Sequence, residues 1–217
     1  YKERVLYLCP TKQLVHQVVE QAEEQYGLTV NGFTGSKSAY DPIKKTEYQT
    51  ADRVAVTTYS SLFNTNPFFD TPQTIIIDDA HAAENYIASL WSLHIEKHNS
   101  EHKALHTALC NLLKPYIRIS DFQRLSGDSH SLFDATWVDK LPTPTFLEIT
   151  DEFRNIIDSY ADSSGIKHEW KMLRDSIHAC HLYISSKDIL LRPIIPPTWT
   201  HKPFDNATQR IFMSATL

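Results

Sequence analysis

The first third of the chain alternates short apolar runs with amphipathic segments. Val5–Cys9 is a continuous apolar run closed by Pro10, as is typical of a strand buried on both faces. Residues 13–26 then carry apolar side chains at helical spacing up to Gly27, which predicts a helix with a glycine C-cap. Further strand-like runs occupy residues 28–33, 54–58 and 74–78. Strands and helices that alternate in this way predict a parallel α/β sheet.

Residues 83–204 show a different pattern, in which apolar residues recur mainly at helical spacing. Helical patterns cover residues 82–95, 101–115, 146–161 and 166–181, and residues 182–197 are predicted to be extended. A strand-like run returns at residues 210–217. We therefore predict two parts: an α/β domain made of residues 1–82 and 205–217, and a mostly α-helical insertion over residues 83–204.

The composition narrows the class of protein. The chain has 217 residues, of which 41% are hydrophobic and 22% charged, so it can form a sizeable core and is not expected to be disordered. Its aliphatic runs are far shorter than the roughly 20 residues of a membrane span, so no membrane partner is expected. The three cysteines are scattered (Cys9, Cys110 and Cys180), which excludes a disulfide framework and a four-cysteine metal site within the chain and favours a cytoplasmic setting. The net charge of −5 argues against binding of nucleic acid through bulk positive charge, so any nucleic acid would be held locally.

A pair of carboxylates follows the isoleucine-rich run. Asp78 and Asp79 come directly after the three isoleucines at residues 75–77, and open α/β sheets bind their ligands at the carboxyl ends of such strands. One carboxylate there can hold Mg²⁺, and its neighbour can orient and deprotonate the water that attacks a γ-phosphate. Acid pairs also occur where they only stabilise the amino end of the next helix. The spacing by itself leaves both interpretations open.

Five short motifs occur in a fixed order along the chain. They are Pro10-Thr11-Lys12-Gln13-Leu14, Phe33-Thr34-Gly35-Ser36, Val56-Thr57-Thr58-Tyr59-Ser60-Ser61-Leu62, Asp78-Asp79-Ala80-His81 and Ser214-Ala215-Thr216. In order and spacing they resemble motifs Ia to III of superfamily 2 helicases of the DEAD/DEAH-box type, over residues 1–82 and about 205–217. The insertion before the last motif is similar to that of the xeroderma-pigmentosum-type helicases, but the four cysteines of their iron–sulfur cluster are missing. The resemblance implies an α/β fold with a partial RecA-like parallel sheet and flanking helices, in the P-loop NTPase class.

The resemblance also implies a catalytic site built from the last two motifs. Asp78 would hold Mg²⁺ through water, and Asp79 stands where the family usually has the glutamate that polarises the attacking water. His81 would link the nucleotide state to motif III. Ser214 and Thr216 would couple hydrolysis to movement along the strand. The implied cofactors are therefore ATP and Mg²⁺, bound at Asp78 and Asp79.

A contact with nucleic acid is implied along the first three motifs. The positions that would contact the sugar–phosphate backbone are Pro10, Thr11, Lys12, Gly35, Thr58 and Ser60. Hydroxyls and exposed turn amides suit this task because they hold phosphates without reading bases. The implied partners are single-stranded or partly duplex nucleic acid, with DNA favoured over RNA, and a second RecA-like domain of the same parent protein.

Two features depart from the family pattern. None of the five glycines belongs to a phosphate-binding G-x-x-x-x-G-K-S/T loop, which we expect just upstream of Tyr1, with the second RecA-like domain beyond Leu217. Asp79 is one methylene shorter than glutamate, so its carboxylate is set back by roughly 1.5 Å, and errors of that size slow catalysis. We expect the intact parent to be an ATP-dependent helicase and this chain alone to be inactive.

Two other functions stay open at this point. A catalytically inactive module that only binds nucleic acid or a protein partner would also fit the altered motif II. A metal-dependent phosphohydrolase would use Asp78, Asp79 and His81 as direct metal ligands. That second alternative explains neither the first motif nor the last, so the helicase interpretation leads.

Four histidines recur at intervals of four residues, at His94, His98, His102 and His106. On one continuous helix they would share a face and could bind a metal ion. The sequence Asn99-Ser100-Glu101 predicts that the helix stops between them and a new one starts, so we do not expect a metal site here.

Overall fold

The chain folds into two compact units. The structure is a computed structural model that describes residues 2–127 and 136–214. Tyr1–Leu90 and Pro197–Leu217 form the first unit, and Trp91–Pro196 forms the second. No helix within the described ranges combines the length and the apolarity that crossing a membrane requires. The folding boundaries expected at residues 82 and 205 stay a prediction, which deletion of the second unit would test.

A five-stranded parallel sheet forms the centre of the first unit and confirms the predicted α/β class. Its strands are β1 (Val5–Cys9), β2 (Asn31–Phe33), β3 (Ala55–Thr58), β4 (Thr74–Ile77) and β9 (Gln209–Phe212), in the order β2-β3-β1-β4-β9. Every neighbouring pair of these strands is parallel. Leu8 pairs with both Thr57 and Ile77, and Ile77 pairs with Phe212. The carboxyl ends of β3, β1, β4 and β9 therefore meet at one edge of the sheet.

Five helices are described in the same unit as this sheet, and capping residues fix both ends of the longest one. The helices described in this unit are α1 (Lys12–Tyr26), α2 (Pro42–Gln49), α3 (Tyr59–Leu62), α4 (Ala80–Leu90) and α10 (Lys202–Asp205). Helix α1 begins after Thr11, whose hydroxyl accepts a hydrogen bond from the Leu14 N–H at 3.3 Å. It ends at Gly27, whose φ of 63° is a left-handed conformation that glycine adopts without strain. The buried Val15 packs on Cys9 and attaches the helix to β1.

The second unit combines helices with an antiparallel sheet. Its helices are α5 (Lys103–Leu113), α6 (Ile119–Ser126), α7 (Thr143–Glu148), α8 (Thr150–Tyr160) and α9 (Lys167–Leu173). Its strands are β5 (Leu93–Glu96), β6 (Val138–Lys140), β7 (Cys180–Ser185) and β8 (Asp188–Pro193), in the order β5-β8-β7-β6. Helices cover more of the unit than strands do. The extended stretch expected at residues 182–197 corresponds to most of β7 and β8, whereas β5, β6 and their pairing into one sheet were not predicted.

The helix predicted over residues 82–95 is wrong in its last part. Helix α4 ends at Leu90, and the next residues form β5. Leu93 and Ile95 are buried while the residue after each of them is exposed. This alternation has the period of two that characterises a strand. A strand of four residues is too short for periodicity to distinguish it from the end of a helix.

The four regularly spaced histidines do not share a helix face. His94 lies on β5 and His106 on α5, while His98 and His102 lie in the connection between these elements. Within residues 2–127 and 136–214, no group of three or more His, Cys, Asp or Glu side chains is placed to hold a metal ion. The spacing of four residues between these histidines therefore does not place them on one helix.

One face of the antiparallel sheet packs on helices. The buried residues of this face are Leu93, Ile95, Leu182, Ile184, Ile189 and Leu191. Helices α5 and α9 contact β5, and α7 contacts β7. Buried apolar side chains such as Leu109 of α5 complete this core. The side chains that alternate with the buried ones lie on the opposite face of the sheet.

Candidate functional site

The acidic pair lies at the carboxyl edge of the parallel sheet, between β1 and β9. The Asp78 N–H donates to the carbonyl of Leu8 at 3.0 Å and so continues the pairing with β1. On the other side, the Met213 N–H donates to the carbonyl of Ile77 at 2.9 Å, and the Ala80 N–H donates to the carbonyl of Met213 at 2.8 Å. These bonds fix where β4 ends and place both carboxylates at the edge where open α/β sheets bind ligands.

Two tyrosines lie near Asp78. The Tyr59 hydroxyl donates a hydrogen bond to the backbone carbonyl of Asp78, and Tyr7 of β1 lies within reach of the charge of the Asp78 carboxylate. Burial, and then the nearby carboxylate, raise the pKa of both phenols above their ordinary value, so both stay protonated donors at neutral pH. The Tyr59 ring also stacks on Tyr86 of α4, with ring centroids 6.1 Å apart.

Asp79 has an unusual backbone conformation. Its φ is 50°, in the left-handed region that few residues other than glycine adopt, although aspartate is among those that tolerate it. Its carbonyl accepts hydrogen bonds from the N–H groups of Ala82 and Ala83, both at 3.0 Å, and thereby starts α4. The Asp79 N–H donates to Oδ1 of Asp78 at 3.0 Å. The turn leaves the Asp79 side chain exposed at the strand end.

The capping interpretation of the acidic pair receives no support from these contacts. Among the described residues, neither carboxylate accepts a hydrogen bond from an N–H of α4, and Oδ1 of Asp78 bonds to Asp79 instead. The pair also meets the requirement of Mg²⁺, which prefers oxygen ligands and keeps several waters when only one or two carboxylates bind it. The phosphohydrolase alternative, with three direct ligands, lacks a suitable cluster in the described part of the chain.

A hydrogen bond joins the fourth motif to the last one. Nδ1 of His81, in the first turn of α4, lies 2.6 Å from the hydroxyl of Ser214, which follows β9. His81 is exposed and Ser214 is half-buried, so the pair lies at the surface of the edge. The structure thus brings Asp78, Asp79, His81 and Ser214 to one edge, whereas Thr216 lies outside the described residues.

One of the three positions at the start of α1 that are predicted to contact nucleic acid has a structural role. Pro10, Thr11 and Lys12 follow β1 at the same sheet edge. The Thr11 hydroxyl caps α1 by accepting from Leu14, so the cap occupies one of its acceptor positions. Lys12 is exposed at the amino end of the helix.

Two of the remaining predicted positions, Thr58 and Ser60, form a hydroxyl cluster with Ser61 at the end of β3. The Thr58 hydroxyl lies 3.0 Å from that of Ser60 and 3.2 Å from that of Ser61. Thr58 is only 7% exposed, so the structure makes it a support for the exposed Ser60 rather than a surface residue. Gly35 has a φ of 86°, and its carbonyl accepts a hydrogen bond from the Tyr40 hydroxyl at 3.4 Å.

Sequence reasoning missed the tyrosines that lie near Asp78. Tyr7 is the one residue with a polar end inside the otherwise apolar β1 run, which is a signal that could have been noticed. Tyr59 directly follows β3 and belongs to the third motif, in which the resemblance assigns a role only to Thr58 and Ser60. Both act on Asp78 across strands, so no local pattern reveals their partner.

The chain is similar to one known protein family and to several solved structures. The family model described as DEAD/DEAH box helicase matches residues 1–109. No curated protein matches the chain by sequence. A solved structure titled "XPD_APO" is similar with a TM-score of 0.51 and 18% identity, covering 100% of this chain and 46% of that one. The structures "XPD_Helicase" and "Structure of S. tokodaii Xpd4" each match with a TM-score of 0.45 and 15% identity, covering 98% and 100% of this chain and 50% and 48% of their own.

The chain spans about half the length of the solved structures that it matches. The first of these similarities shows a shared fold, which in this chain contains a parallel sheet of five strands with flanking helices. Together with the family model, it confirms the resemblance that the five motifs suggested. Since that model matches half of its residues, the chain belongs to the DEAD/DEAH box helicase family.

Proposed function

We propose that this chain carries part of the ATP-hydrolysing site of a nucleic-acid helicase or translocase. The observation that best supports the proposal is the hydrogen bond between His81 and Ser214 beside the two carboxylates. It connects the residues after β4 with those after β9, so a change at the nucleotide can alter the neighbouring strand end. Coupling of hydrolysis to movement requires such a connection. ATP and Mg²⁺ are the proposed cofactors.

Asp78 is proposed to hold Mg²⁺ through a bound water. Its carboxylate already accepts a hydrogen bond from the Asp79 N–H, which orients it and leaves further lone pairs for water. The Tyr59 bond to the Asp78 carbonyl fixes the backbone at the same point. When bound, Mg²⁺ would neutralise charge on the phosphate oxygens during phosphoryl transfer.

Asp79 is proposed to polarise the attacking water. Its side chain is exposed at the strand end and accepts no hydrogen bond from another described residue, so it can accept a proton from water. General bases of this kind must lie within hydrogen-bond reach of the proton that they take. The left-handed backbone at Asp79 sets the direction in which this shorter side chain leaves the strand.

The hydroxyl cluster and the start of α1 are proposed to contact the sugar–phosphate backbone. Exposed groups there are Lys12, Ser60 and the backbone of Gly35. Thr11 and Thr58 position these groups through the cap and the hydroxyl cluster. The proposed partner is single-stranded or partly duplex nucleic acid, with DNA favoured over RNA.

A second RecA-like domain of the parent protein is proposed to complete the site with arginines. This chain has no glycine in a phosphate-binding loop, so we infer that it does not hydrolyse ATP by itself. A cytoplasmic location stays a prediction from the three thiols.

The test uses the intact parent protein and the variants His81→Ala, Ser214→Ala and the double variant. We expect each single variant to raise the ATP hydrolysed per base pair separated by about tenfold, because the connection is broken while the carboxylates remain. The double variant should be no worse than either single one, since both remove the same hydrogen bond. Glu84→Gln, an exposed residue on α4, is the matched control and should behave as wild type.

Unchanged coupling in both single variants would contradict the proposed role of the bond. A wild-type parent that binds nucleic acid but shows no ATP hydrolysis would support the alternative, a catalytically inactive binding module.

A further inference from the structure

One face of the antiparallel sheet packs on helices, and the opposite face carries polar, charged and aromatic side chains. Strand pairing places Lys140 opposite Tyr183, Tyr183 opposite Leu190, and Leu190 opposite His94. Directly paired residues share a face, so these side chains form one row across all four strands. We call the surface around this row the outer face; it also contains Val138, His181, Ser185, Asp188, Arg192 and Glu96.

An open depression of about 500 Å³ lies on the outer face between β6 and β8. Trp137, Val138, Tyr183 and Leu190 supply its aromatic and apolar lining, and Lys187 and Arg192 supply positive charge. Val138 is 63% exposed, so the depression is accessible. Aromatic and apolar side chains therefore line the depression together with two cations and the carboxylate of Asp188.

The charges of the outer face are not distributed evenly. The cations Lys140, Lys187 and Arg192 lie on or next to β6, β7 and β8, while Glu96 lies on the far strand β5. Asp188 also lines the depression, but its carboxylate accepts from the Ser185 hydroxyl at 2.5 Å and lies 3.7 Å from Nδ1 of His94. The part of the face that carries the aromatic rings therefore also carries three cations, against the single carboxylate of Asp188.

We propose that the outer face binds single-stranded nucleic acid, with bases stacked on Tyr183 and Trp137. Four-stranded antiparallel sheets that present aromatic rings are a recurrent platform for unpaired bases. Stacking tolerates any sequence, and neighbouring cations hold the backbone phosphates. The Arg124 guanidinium lies 5.7 Å from the centroid of the Trp137 ring and helps to fix that ring. This inference rests on the proposed helicase function and adds a contact within the second unit.

Binding of a fluorescein-labelled oligothymidylate to the intact protein, without nucleotide, tests the proposal. We expect Tyr183→Ala to weaken binding about tenfold, as loss of one stacked base does, and Tyr183→Phe to stay within about twofold of wild type. Tyr116→Ala removes an exposed tyrosine of the same unit outside the depression and should leave binding unchanged. Arg192→Gln should reduce the salt dependence by about one phosphate contact, whereas Lys171→Gln should not.

A second measurement does not depend on any variant folding. Oligothymidylate containing photoreactive 4-thiothymidine should crosslink to peptides that contain Trp137 or Tyr183 of the wild-type protein. Crosslinks confined to residues 1–90, or binding that Tyr183→Ala leaves unchanged, would overturn the inference and leave a protein partner as the occupant of this face. Because nucleotide is absent, these outcomes are independent of whether the parent hydrolyses ATP.

Discussion

Acid should destabilise the second unit through one buried histidine. His106 of α5 is 4% exposed, and its Nδ1 lies 3.5 Å from the Cys110 thiol. Burial lowers the pKa of His106 from 6.5 to about 4, and the nearby Lys97 and His98 act in the same direction. Asp188 opposes them with the smallest effect. His106 is therefore neutral in the folded protein at neutral pH.

The size of the effect follows from the difference between the folded and unfolded states. As the pH falls below 6.5 the unfolded chain binds a proton at His106, whereas the folded chain does so only near pH 4. A folded-state pKa below the unfolded one gives a stabilisation that is present above pH 6.5 and is lost as the pH falls towards 4. The difference of about 2.5 pH units corresponds to about 3 kcal/mol of unfolding free energy. This is a large part of the stability of a typical domain.

Urea unfolding between about pH 7 and pH 4.5, followed by tryptophan fluorescence, measures this loss. Three of the four tryptophans, Trp91, Trp137 and Trp170, lie in the second unit, so the signal reports mainly on it. The wild-type midpoint should fall with pH, and His106→Asn should remove most of that slope. The control His168→Gln, at an exposed position on α9, should keep it. Equal slopes for wild type and His106→Asn would refute the reasoning.

Three further predictions concern the first unit and its relation to the second. Tyr59→Phe should lower the unfolding free energy measured in urea by about 1–2 kcal/mol, because the Asp78 carbonyl loses its hydrogen-bond donor. The control Tyr86→Phe changes an exposed ring and should have little effect. Equal effects of the two changes would argue against a stabilising role of the Tyr59 hydrogen bond. Burial raises the pKa of the Cys9 thiol to about 12, so the stabilisation of the fold by the neutral thiol is present below pH 9 and is lost as the pH rises towards 12. Cys9→Ala should therefore flatten the alkaline decline of the urea midpoint. An unaltered decline would exclude Cys9 as its source. Replacing residues 91–196 of the intact protein by a short flexible linker should preserve nucleotide binding and the hydrogen-exchange protection of β4. The same deletion should reduce the separation of nucleic-acid strands. Loss of protection in β4 would show that the two units share one core.

The parallel sheet could be predicted from the sequence because its strands are buried on both faces. Runs such as Val5–Cys9 are continuously apolar, and a parallel sheet then brings the carboxyl ends of several strands to one edge. The grouping of Asp78 with Ser214 follows from that topology together with the order of the motifs. These features depend on patterns that local sequence contains.

Other features depend on contacts between distant residues, and the sequence did not show them. Tyr59 and Asp78 are 19 positions apart, and nothing in either neighbourhood indicates the bond between them. The antiparallel sheet was predicted only as the extended residues 182–197, because β6 has three residues that are all exposed and β5 has only four. Such short strands are specified by their partners rather than by their own periodicity.

The most direct test of the central claim is the rate of ATP hydrolysis by the intact protein carrying Asp79→Asn. With saturating Mg²⁺ and oligothymidylate, we predict a loss of at least about 100-fold, which is the lower range for removing a general base. The affinity for the magnesium–nucleotide complex should stay within about twofold, because Asp78 and its hydrogen bonds with Tyr59 and the Asp79 backbone remain. Glu84→Gln on α4 should hydrolyse ATP at the wild-type rate. Unchanged turnover in Asp79→Asn would contradict the assignment of this edge as the hydrolytic site.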